Sequence, residues 1–564
     1  MKFNDYQYIR PDIKKIDVNF NTLLKAFNNA GSFQEQDSIM EKITKLRSDF
    51  DSMAQIVSIR HTIDTTDKFY DAEQDYFDET MPMYQGLTSN FYGALINSKF
   101  RKELENKWGK QLFTIAELTL KTFSPEIIED LQIENKLSSE YTKLIASAKI
   151  MFEGEERNLS QLSPFMQSTE RAMRKNASEA KYSFMRDNEE KFDSIYDKLV
   201  KVRHKIAKQL GFRNFVELGY ARMLRADYNA EMVANFRKQV EDYIVPVATK
   251  LRDRQRVRLG LDSLKYYDEK FCFNSGNAKP HGNPEFILNS GKEMYSELSP
   301  ETKEFFDFMV ENNLMDLVSK KGKAGGGYCT YISKYKAPFI FSNFNGTSGD
   351  VDVLTHEAGH AFQVYSSRNY ETPEYNFPTY EACEIHSMSM EFFTYPWMNL
   401  FFKEEVDKYK YFHLSEALLF IPYGVTVDEF QHFVYENPDA SPMERKAAWR
   451  RIEKKYLPHR DYETNEYLEK GGWWHQQGHI FESPFYYIDY TLAQICAFQF
   501  FNKASENREK AWSDYLRLCK AGGSASFLEL VKLADLVSPF ENGCIASVIG
   551  NIEAYLNNID DRKL

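Results

Sequence analysis

Apolar residues recur every three or four positions, with charged residues between them, through much of the first half of the chain. The spacing is sustained over Ser38–Phe69, over Tyr92–Glu117 and again over Ser168–Arg258. Residues three and four apart share one face of an α-helix, so the pattern predicts one helix after another. The predicted breaks in the third stretch are Gly211, Gly219 and Pro246.

A few segments depart from this helical spacing. Ala146–Ser163 contains an apolar run, a charged turn around Gly154 and further leucines, which predicts a β-hairpin. Tyr328–Ile332 and Phe339–Phe341 are short β-prone runs joined by a polar turn. Tyr266–Pro284 is rich in Gly, Asn and Pro and predicts an irregular surface connection. We therefore expect a mainly α protein with a small sheet.

Length and charge narrow the class of protein. The 564 residues are enough for a large core or several domains, and 43% are hydrophobic, as in globular proteins. We place the main boundary near residue 170, between an N-terminal helical lobe (1–170) and a catalytic domain (171–564). The net charge of −12 argues against nucleic acid as a partner. The basic run Lys250–Arg258 is interpreted as a solvated helix face.

The spacing of the cysteines and the length of the apolar segments indicate the cellular compartment of the protein. The six cysteines are scattered without a CxxC pair, which indicates neither a disulfide framework nor a cysteine zinc site. Unpaired thiols in a chain of this size fit a reducing compartment. The N-terminal segment has no apolar stretch typical of a signal peptide, and no apolar run approaches about 18 residues. We therefore expect a soluble, cytoplasmic protein without a membrane partner.

The strongest chemical signal is the sequence His-Glu-Ala-Gly-His at residues 356–360. N-capping residue types at 348–350 and an apolar stripe predict that it lies on a helix. His356 and His360 then project from one face and can reach one zinc ion at about 2.0–2.1 Å. The apolar stripe consists of Leu354, Ala358, Ala361, Phe362 and Tyr365.

Glu357 is the expected general base of this site. It is offset from the two histidines, so it is placed to hold a metal-bound water and accept its proton during attack on a carbonyl. The protonated carboxyl can then deliver that proton to the leaving amine. Chance would supply only about 0.02 such motifs in a chain with 11 histidines. A charged helix that carries two unrelated histidines is therefore the weaker interpretation.

A catalytic zinc usually takes three protein ligands and keeps one open position. Ser366 occupies the place of the third histidine in the HExxHxxGxxH pattern, which excludes that variant. The predicted helix Thr379–Glu391 carries three glutamates on one face, and we choose Glu384 as the third ligand. Glu381 is the candidate acceptor that orients a ligand histidine, with Asp352 as competitor. A plain solvated carboxylate is an open alternative for both.

These residues resemble the thimet oligopeptidase and oligoendopeptidase F family of zinc metallopeptidases. The HExGH sequence is followed by Glu384, 24 residues beyond His360, and by another glutamate seven residues later. The similarity is good over residues 170–564 and weaker in the helical N-terminal part. Four further segments resemble elements of the family: Gly325–Cys329, Pro338–Ile340, His479–Tyr490 and Gly522–Ser524.

The resemblance implies a particular architecture and substrate. It implies two helical lobes around a deep substrate channel, with one zinc ion per chain at its floor and the small sheet beside the HExxH helix. It also implies oligopeptide substrates, short and unfolded, because only a flexible chain could enter such a channel.

The segment His479–Tyr490 supplies candidate donors to the oxyanion. Negative charge develops on the carbonyl oxygen when water adds to a peptide bond, and a preplaced donor stabilises it by about 2.7–4 kcal/mol. We favour Tyr490 and His479 and then Tyr486, with aromatic core packing as the alternative for each tyrosine. His475 is the reserve for His479, and His386 is interpreted as a core or supporting residue.

The leading hypothesis is therefore an endopeptidase that acts on oligopeptides. An exopeptidase would need a fixed cation for the free carboxylate, which the sequence does not identify. A non-catalytic helical binding protein is disfavoured because Glu357 and all three proposed ligands are present. A hydrolase of small amides is disfavoured by the strand segment before the motif, whose edge could bind an extended peptide. The sequence does not determine the oligomeric state.

Overall fold

The structure is a computed structural model that describes residues 1–320 and 322–564, and most of these residues are helical. The prediction of a mainly α fold is confirmed. The helices of the N-terminal part are α1 (Ile13–Asn29), α2 (Phe33–Ile63), α3 (Lys68–Ile96), α4 (Arg101–Trp108), α5 (Lys110–Lys121) and α6 (Ile128–Ala146).

The helices predicted over the first 120 residues are divided more finely than the periodicity indicates. The segment 38–69 is interrupted after Ile63, and Asp67 begins α3 by accepting hydrogen bonds from the backbone N–H groups of Phe69 and Tyr70. The segment 92–117 contains three helices. Gly109 separates the last two with a φ of 87°, a conformation that favours glycine.

The predicted hairpin is present. Strands β1 (Ile150–Phe152) and β2 (Glu155–Arg157) pair antiparallel, and Gly154 makes the turn with a φ of 78°. Of the leucines that follow, Leu162 belongs to a short 3₁₀ turn and Leu159 just precedes it, so neither extends the second strand.

Helices resume after the hairpin, and one of the three predicted breaks, at Gly219, is wrong. Gly211 does end a helix, with a φ of 83°. Gly219 lies inside a helix, where a Cβ atom would stand 2.6 Å from the Phe485 ring. At Pro246 the regular α-helix is interrupted as predicted, since a π-helical turn, Val240–Ile244, lies between the helix that ends at Gln239 and the helix that begins at Val245. These helices are α7 (Arg171–Asp187), α8 (Glu189–Gln209), α9 (Phe215–Arg222), α10 (Ala230–Gln239), α11 (Val245–Arg258), α12 (Pro284–Leu298) and α13 (Pro300–Glu311).

The basic run on α11 is not the solvated face that the sequence predicted. Arg252 is buried, and Arg254 and Arg258 both form ion pairs with Asp561 at the C-terminal end of the chain. The connection predicted after this helix is irregular, since α12 begins only at Pro284. It is not the surface segment that was predicted, because Tyr266, Phe271 and Phe273 are buried.

A three-stranded sheet precedes the HExxH helix. Its strands are β3 (Met315–Val318), β4 (Tyr328–Ile332) and β5 (Ala337–Phe344), in the order β3-β5-β4. The predicted pair β4 and β5 is antiparallel, whereas β3 was not predicted and pairs parallel with β5. The four residues of β3 show no clear alternation of buried and exposed positions, so the sequence alone does not identify it as a strand. Strand β4 lies at one edge of the sheet.

The rest of the chain is helical and surrounds the predicted chemistry. Helix α15 packs between α14 and α21. The helices are α14 (Gly349–Ser367), α15 (Tyr380–Phe393), α16 (Asn399–Phe402), α17 (Val406–Glu436), α18 (Pro442–Tyr456), α19 (Glu466–Glu469), α20 (Gly478–Glu482), α21 (Tyr487–Glu506), α22 (Arg508–Ala521), α23 (Phe527–Leu533) and α24 (Cys544–Asn557).

The main apolar core spans both parts of the chain. It includes Phe50 and Ile56 from α2 as well as Leu556 from α24, so the boundary near residue 170 stays a prediction. All six cysteines are free thiols. Within the described residues, no helix combines the length and apolarity needed to span a bilayer.

Candidate active site

Helices α14 and α15 touch at Gly359, the fourth residue of the HExxH sequence. A Cβ atom at this position would stand 2.7 Å from the His386 carbonyl oxygen and 2.7 Å from Cα of Ser387, so only glycine permits so close an approach. Close contact between the helices brings Glu384 of α15 next to the two histidines of α14. The glycine of the motif thus has a structural reason that the sequence pattern does not reveal.

His356, His360 and Glu384 offer ligand atoms that all lie within 4.8 Å of one another. Glu384 Oε2 is 3.3 Å from His356 Nε2 and 3.5 Å from His360 Nε2. Four ligands at about 2.0–2.1 Å in a tetrahedron stand about 3.3 Å apart, so this donor set fits a zinc ion. The structure therefore brings together the three residues that the sequence singled out as ligands.

Two hydroxyl groups hold the Glu384 carboxylate. Ser387 Oγ donates to Oε2 at 2.9 Å, and the Tyr486 hydroxyl donates to Oε1 at 2.9 Å. Burial alone would raise the pKa of Glu384, but His360 and His356 lower it well below its usual range. The carboxylate is therefore charged and oriented, as a metal ligand must be.

Glu391 is the residue that orients His356. Its Oε1 accepts a hydrogen bond from His356 Nδ1 at 2.7 Å, and its Oε2 accepts one from His413 Nε2 at 2.7 Å. His413 Nδ1 is in turn hydrogen-bonded to the Tyr395 hydroxyl at 2.7 Å. An imidazole N–H that donates to a carboxylate fixes the tautomer and the ring orientation and leaves Nε2 of His356 free to ligate.

The two acceptors predicted for this role are wrong. Asp352 accepts from the Tyr409 hydroxyl at 2.6 Å, and burial raises its pKa to about 6. Glu381 is buried, and burial together with Asp489 raises its pKa to about 8, against the lowering effect of Arg225. Glu381 is also not the solvated carboxylate that stood as the alternative.

Sequence reasoning missed Glu391 and His413 as a pair. Glu391 was visible as the third glutamate on the predicted face of α15, seven residues after Glu384. His413 lies on α17 without any local motif, so only the three-dimensional structure, in which its side chain reaches Glu391 of α15, reveals it.

Glu357 lies next to the candidate ligand His356, and one of its carboxylate oxygens, Oε2, has no hydrogen-bond partner within the described residues. The residue is 8% exposed. Gly327, just before β4, lies so close that its Cβ would be 3.6 Å from Glu357 Oε1. Burial raises the pKa of Glu357, although His356 and His360 oppose the shift. A buried, unpartnered carboxylate beside a metal site is suited to accept a proton.

The predicted donors His479, Tyr486 and Tyr490 lie together beside these ligands. The Tyr490 ring is 4.9 Å from the Tyr486 ring and 5.9 Å from the His479 ring. Burial raises the pKa of both tyrosines, so both hydroxyls keep their protons at neutral pH. The Tyr486 hydroxyl is already bonded to Glu384, whereas the hydrogen bond that His479 makes within the described residues is through Nδ1, to Gln477.

The protonation of His479 follows from its neighbour Gln477. The Gln477 carbonyl oxygen accepts from the Tyr423 hydroxyl at 2.7 Å, and its amide nitrogen faces His479 Nδ1 at 2.9 Å. An amide nitrogen only donates, which makes Nδ1 the acceptor and places the proton on Nε2. Burial lowers the pKa of His479, which favours this neutral form.

Two other histidines are structural. His475, the predicted reserve donor, is fully buried and bonds to Tyr467 through Nδ1 and to Asp193 through Nε2, so it is not free for substrate. His386 is a core residue, as predicted, and burial lowers its pKa to about 4.

Comparisons with known proteins agree with this geometry. The family model for the peptidase M3 N-terminal domain matches residues 3–123, and the model for peptidase family M3 matches residues 164–548. An oligoendopeptidase F homolog from Borreliella burgdorferi is 25% identical over 375 residues. That match covers 64% of this chain and 61% of the relative's length.

Two solved structures match over the full length of the chain. Pz peptidase A, solved with an inhibitor, is 65% identical with a TM-score of 0.96 and complete coverage of both chains. A chain from Bacillus anthracis strain Ames, assigned to oligoendopeptidase F, is 63% identical with a TM-score of 0.92. It is covered over 99% of its length, against 100% of the present chain.

Proposed function

The chain belongs to peptidase family M3, and we propose that it is a zinc-dependent endopeptidase that hydrolyses internal bonds of short, unstructured oligopeptides. The observation that carries the proposal is the combination of three convergent ligand atoms with an unpartnered carboxylate beside them. The names of the relatives, oligoendopeptidase F and Pz peptidase A, support the same class of reaction.

His356, His360 and Glu384 would hold one zinc ion per chain. When bound, zinc lowers the pKa of a coordinated water to about 7 and polarises the carbonyl of the substrate. Glu391 keeps His356 in the tautomer that ligates, and Ser387 and Tyr486 keep the Glu384 carboxylate in place.

Glu357 acts as the general base in this proposal. Its carboxylate accepts a proton from the attacking water and then, in its acid form, delivers that proton to the leaving amine. A raised pKa suits both roles, because the group must change protonation state within one cycle.

Donors opposite the base would stabilise the oxyanion. Tyr490 and His479 are the proposed donors, the first through its hydroxyl and the second through its Nε2 proton. Tyr486 is a third candidate, but its hydroxyl must first leave Glu384, so we propose it as the secondary donor.

The edge of β4 supports binding of an extended peptide. Gly327 and the start of β4 lie against Glu357, and β4 is an edge strand. A peptide that adds to this edge through main-chain hydrogen bonds would present its own backbone to the base, with little dependence on its side chains. The free thiols are consistent with the cytoplasmic location that completes the proposal.

Product analysis tests the proposal. The purified protein is incubated with a mixed peptide library with and without a zinc chelator, and the products are identified by mass spectrometry. We expect internal cuts that vanish with the chelator and return with added zinc. Cuts confined to chain ends would support an exopeptidase instead, and cuts that persist in the chelator would contradict a metal-dependent reaction.

The variant Glu357→Gln provides the matched control. It should retain zinc by elemental analysis while hydrolysis of a quenched fluorescent peptide falls by about 10²–10⁴-fold. A wild-type rate in this variant would show that Glu357 is not the base.

A further inference from the structure

The turn that joins helices α20 and α21 contains a strained residue. Phe485 has a φ of 69°, and it is the only aromatic residue with a positive φ in the described part of the chain. A bulky side chain in this left-handed region is an outlier that persists only where its surroundings hold it. The turn separates His479, on α20, from Tyr490, on α21, so its shape sets how these two proposed donors stand relative to each other.

Two buried side chains hold the backbone of Phe485. Its N–H donates to Oε1 of Gln431, on α17, at 2.6 Å. Its carbonyl oxygen accepts from Nη2 of Arg225, and the same nitrogen donates to Asp489 at 2.7 Å. A guanidinium nitrogen of this kind carries two hydrogens and can serve both acceptors. Because Gln431 and Arg225 are both buried, water competes little for these bonds.

The ring of Phe485 is fixed as well. It is fully buried and packs against the rings of Phe215, Tyr220 and Tyr435. Gly219 of α9 makes room for it, since a Cβ atom there would stand 2.6 Å from the ring. Backbone and ring are thus both held from α9 and α17, two helices that carry none of the proposed ligands or donors.

Arg225 reaches the turn from a second left-handed residue. Leu224 ends α9 with a φ of 55°. The N–H of Leu224 donates to the Ala221 carbonyl at 3.0 Å, and the N–H of Arg225 donates to the Tyr220 carbonyl at 3.2 Å, a helix end that usually uses glycine. Both ends of the bond between Arg225 and Phe485 therefore depend on strained, non-glycine backbone. Strain at both ends of one contact favours a role in placing the turn over a role in stability alone.

We propose that Gln431 and Arg225 are positioning residues for the oxyanion donors. They hold Phe485 in its left-handed form, which fixes the turn between α20 and α21 and so the place of the Tyr490 hydroxyl relative to the substrate carbonyl. A donor displaced by about 1 Å can cost roughly 100-fold in rate, although the residue that displaces it never touches the substrate. The inference rests on the proposed peptidase function and adds the residues that set its donors in place.

A double-mutant cycle tests the inference. Rates on one quenched fluorescent peptide are compared for the wild type, Gln431→Met, Tyr490→Phe and the double variant. Gln431→Met keeps the size of the side chain and removes the acceptor of the Phe485 N–H, so kcat should fall by about 10- to 100-fold with KM within about threefold. Because the Tyr490 hydroxyl is then misplaced, the loss caused by Tyr490→Phe should shrink from about 10²–10³-fold in the wild type to about tenfold or less in Gln431→Met.

Two further variants separate positioning from folding. Gln499→Met is the matched control, because Gln499 is also a buried glutamine whose Oε1 accepts from a backbone N–H, that of Val537, at 2.9 Å. Its kcat should stay near the wild-type value. Gly219→Ala displaces the ring of Phe485 instead of releasing its backbone and should lower kcat as well. Thermal unfolding and elemental analysis show whether each variant is folded and carries zinc, and Gly219→Ala replaces Gln431→Met in the cycle if the latter does not fold.

Other outcomes would overturn the inference. An equal loss from Tyr490→Phe in both backgrounds would refute it and leave the peptidase proposal intact, because the two residues would then act independently. So would wild-type kcat in both Gln431→Met and Gly219→Ala, or an equal fall in Gln499→Met. A wild-type rate in Tyr490→Phe alone would remove the donor role on which the inference depends. If the wild-type protein does not cleave the peptide, the proposed function fails and the inference falls with it.

Discussion

Glu391 provides the sharpest test of how the metal site is held. Its carboxylate accepts from two imidazoles, one on the proposed ligand His356 and one on His413, each at 2.7 Å. The variant Glu391→Gln keeps the size of the side chain and removes its charge. We expect zinc to bind more weakly to this variant, although Glu391 is not one of the proposed ligands.

The size of the effect follows from the two hydrogen bonds. A bond to a charged group contributes about 1.5–3 kcal/mol, and a neutral bond about 0.5–1.5 kcal/mol. Only the bond to His356 acts directly on a ligand, so the loss is about 1–1.5 kcal/mol, or roughly tenfold in zinc affinity. Glu391→Ala removes both acceptors and should approach 100-fold, the upper end for residues that support a metal ligand.

Competition for zinc measures these changes. The metal-free protein is titrated with zinc in the presence of a chromophoric chelator of known affinity, and thermal unfolding shows that each variant is folded. Glu381→Gln is the matched control, because Glu381 is also a buried glutamate of α15 but no hydrogen bond joins it to His356. Zinc binding as tight in Glu391→Ala as in wild type would refute the orienting role. An equal loss of zinc affinity in Glu381→Gln would show that the loss comes from changing any buried glutamate of α15 and not from the bond to His356.

Two further predictions concern the active site, and a third concerns a buried ion pair between α2 and the turn before α15. Tyr490→Phe should lower kcat by about 10²–10³-fold with zinc retained, since it removes a donor to the oxyanion; a rate near wild type on a fluorescent peptide would contradict this role. Gly359→Ala should cost about 1–3 kcal/mol in the free energy of unfolding and weaken zinc binding, because the new Cβ forces α14 away from α15; urea unfolding with no change would contradict the close packing. Glu374→Gln leaves Arg47 buried without its partner at 2.7 Å and should cost about 3–5 kcal/mol at neutral pH. Burial raises the pKa of Glu374, but Arg47 and Tyr92 outweigh this effect and lower it overall. The greater stability of the wild type over the variant should therefore shrink as the pH falls below about 4.3. A stability difference that grows in acid would refute this.

Local spacing predicted the parts of the site that lie within one or two turns of each other. The pair His356 and His360 follows from helical periodicity, and Glu384 follows from the resemblance and from the lack of a third histidine. The family assignment and the mainly α fold are confirmed. The roles proposed for Glu357 and for the donors around Tyr490 stay predictions, as does the domain boundary.

Contacts between distant segments could not be predicted in this way. His413 meets Glu391 because α17 packs near α15, and Arg258 meets Asp561 across 303 residues of sequence. Gly219 was predicted to break a helix, but it lies inside α9, where the Phe485 ring occupies the space that a side chain would need. In each case the decisive partner lies on another element, and periodicity carries no information about which elements meet.

The hydrogen bond between Tyr486 and Glu384 has a consequence for how the Glu384 carboxylate would bind a metal ion. One carboxylate oxygen faces the two histidines, and the other is held by the tyrosine hydroxyl. Glu384 would therefore offer a metal ion one oxygen rather than two as long as Tyr486 donates to the other. The tyrosine would then act on the strength with which Glu384 holds the ion, although it is not itself one of the proposed ligands.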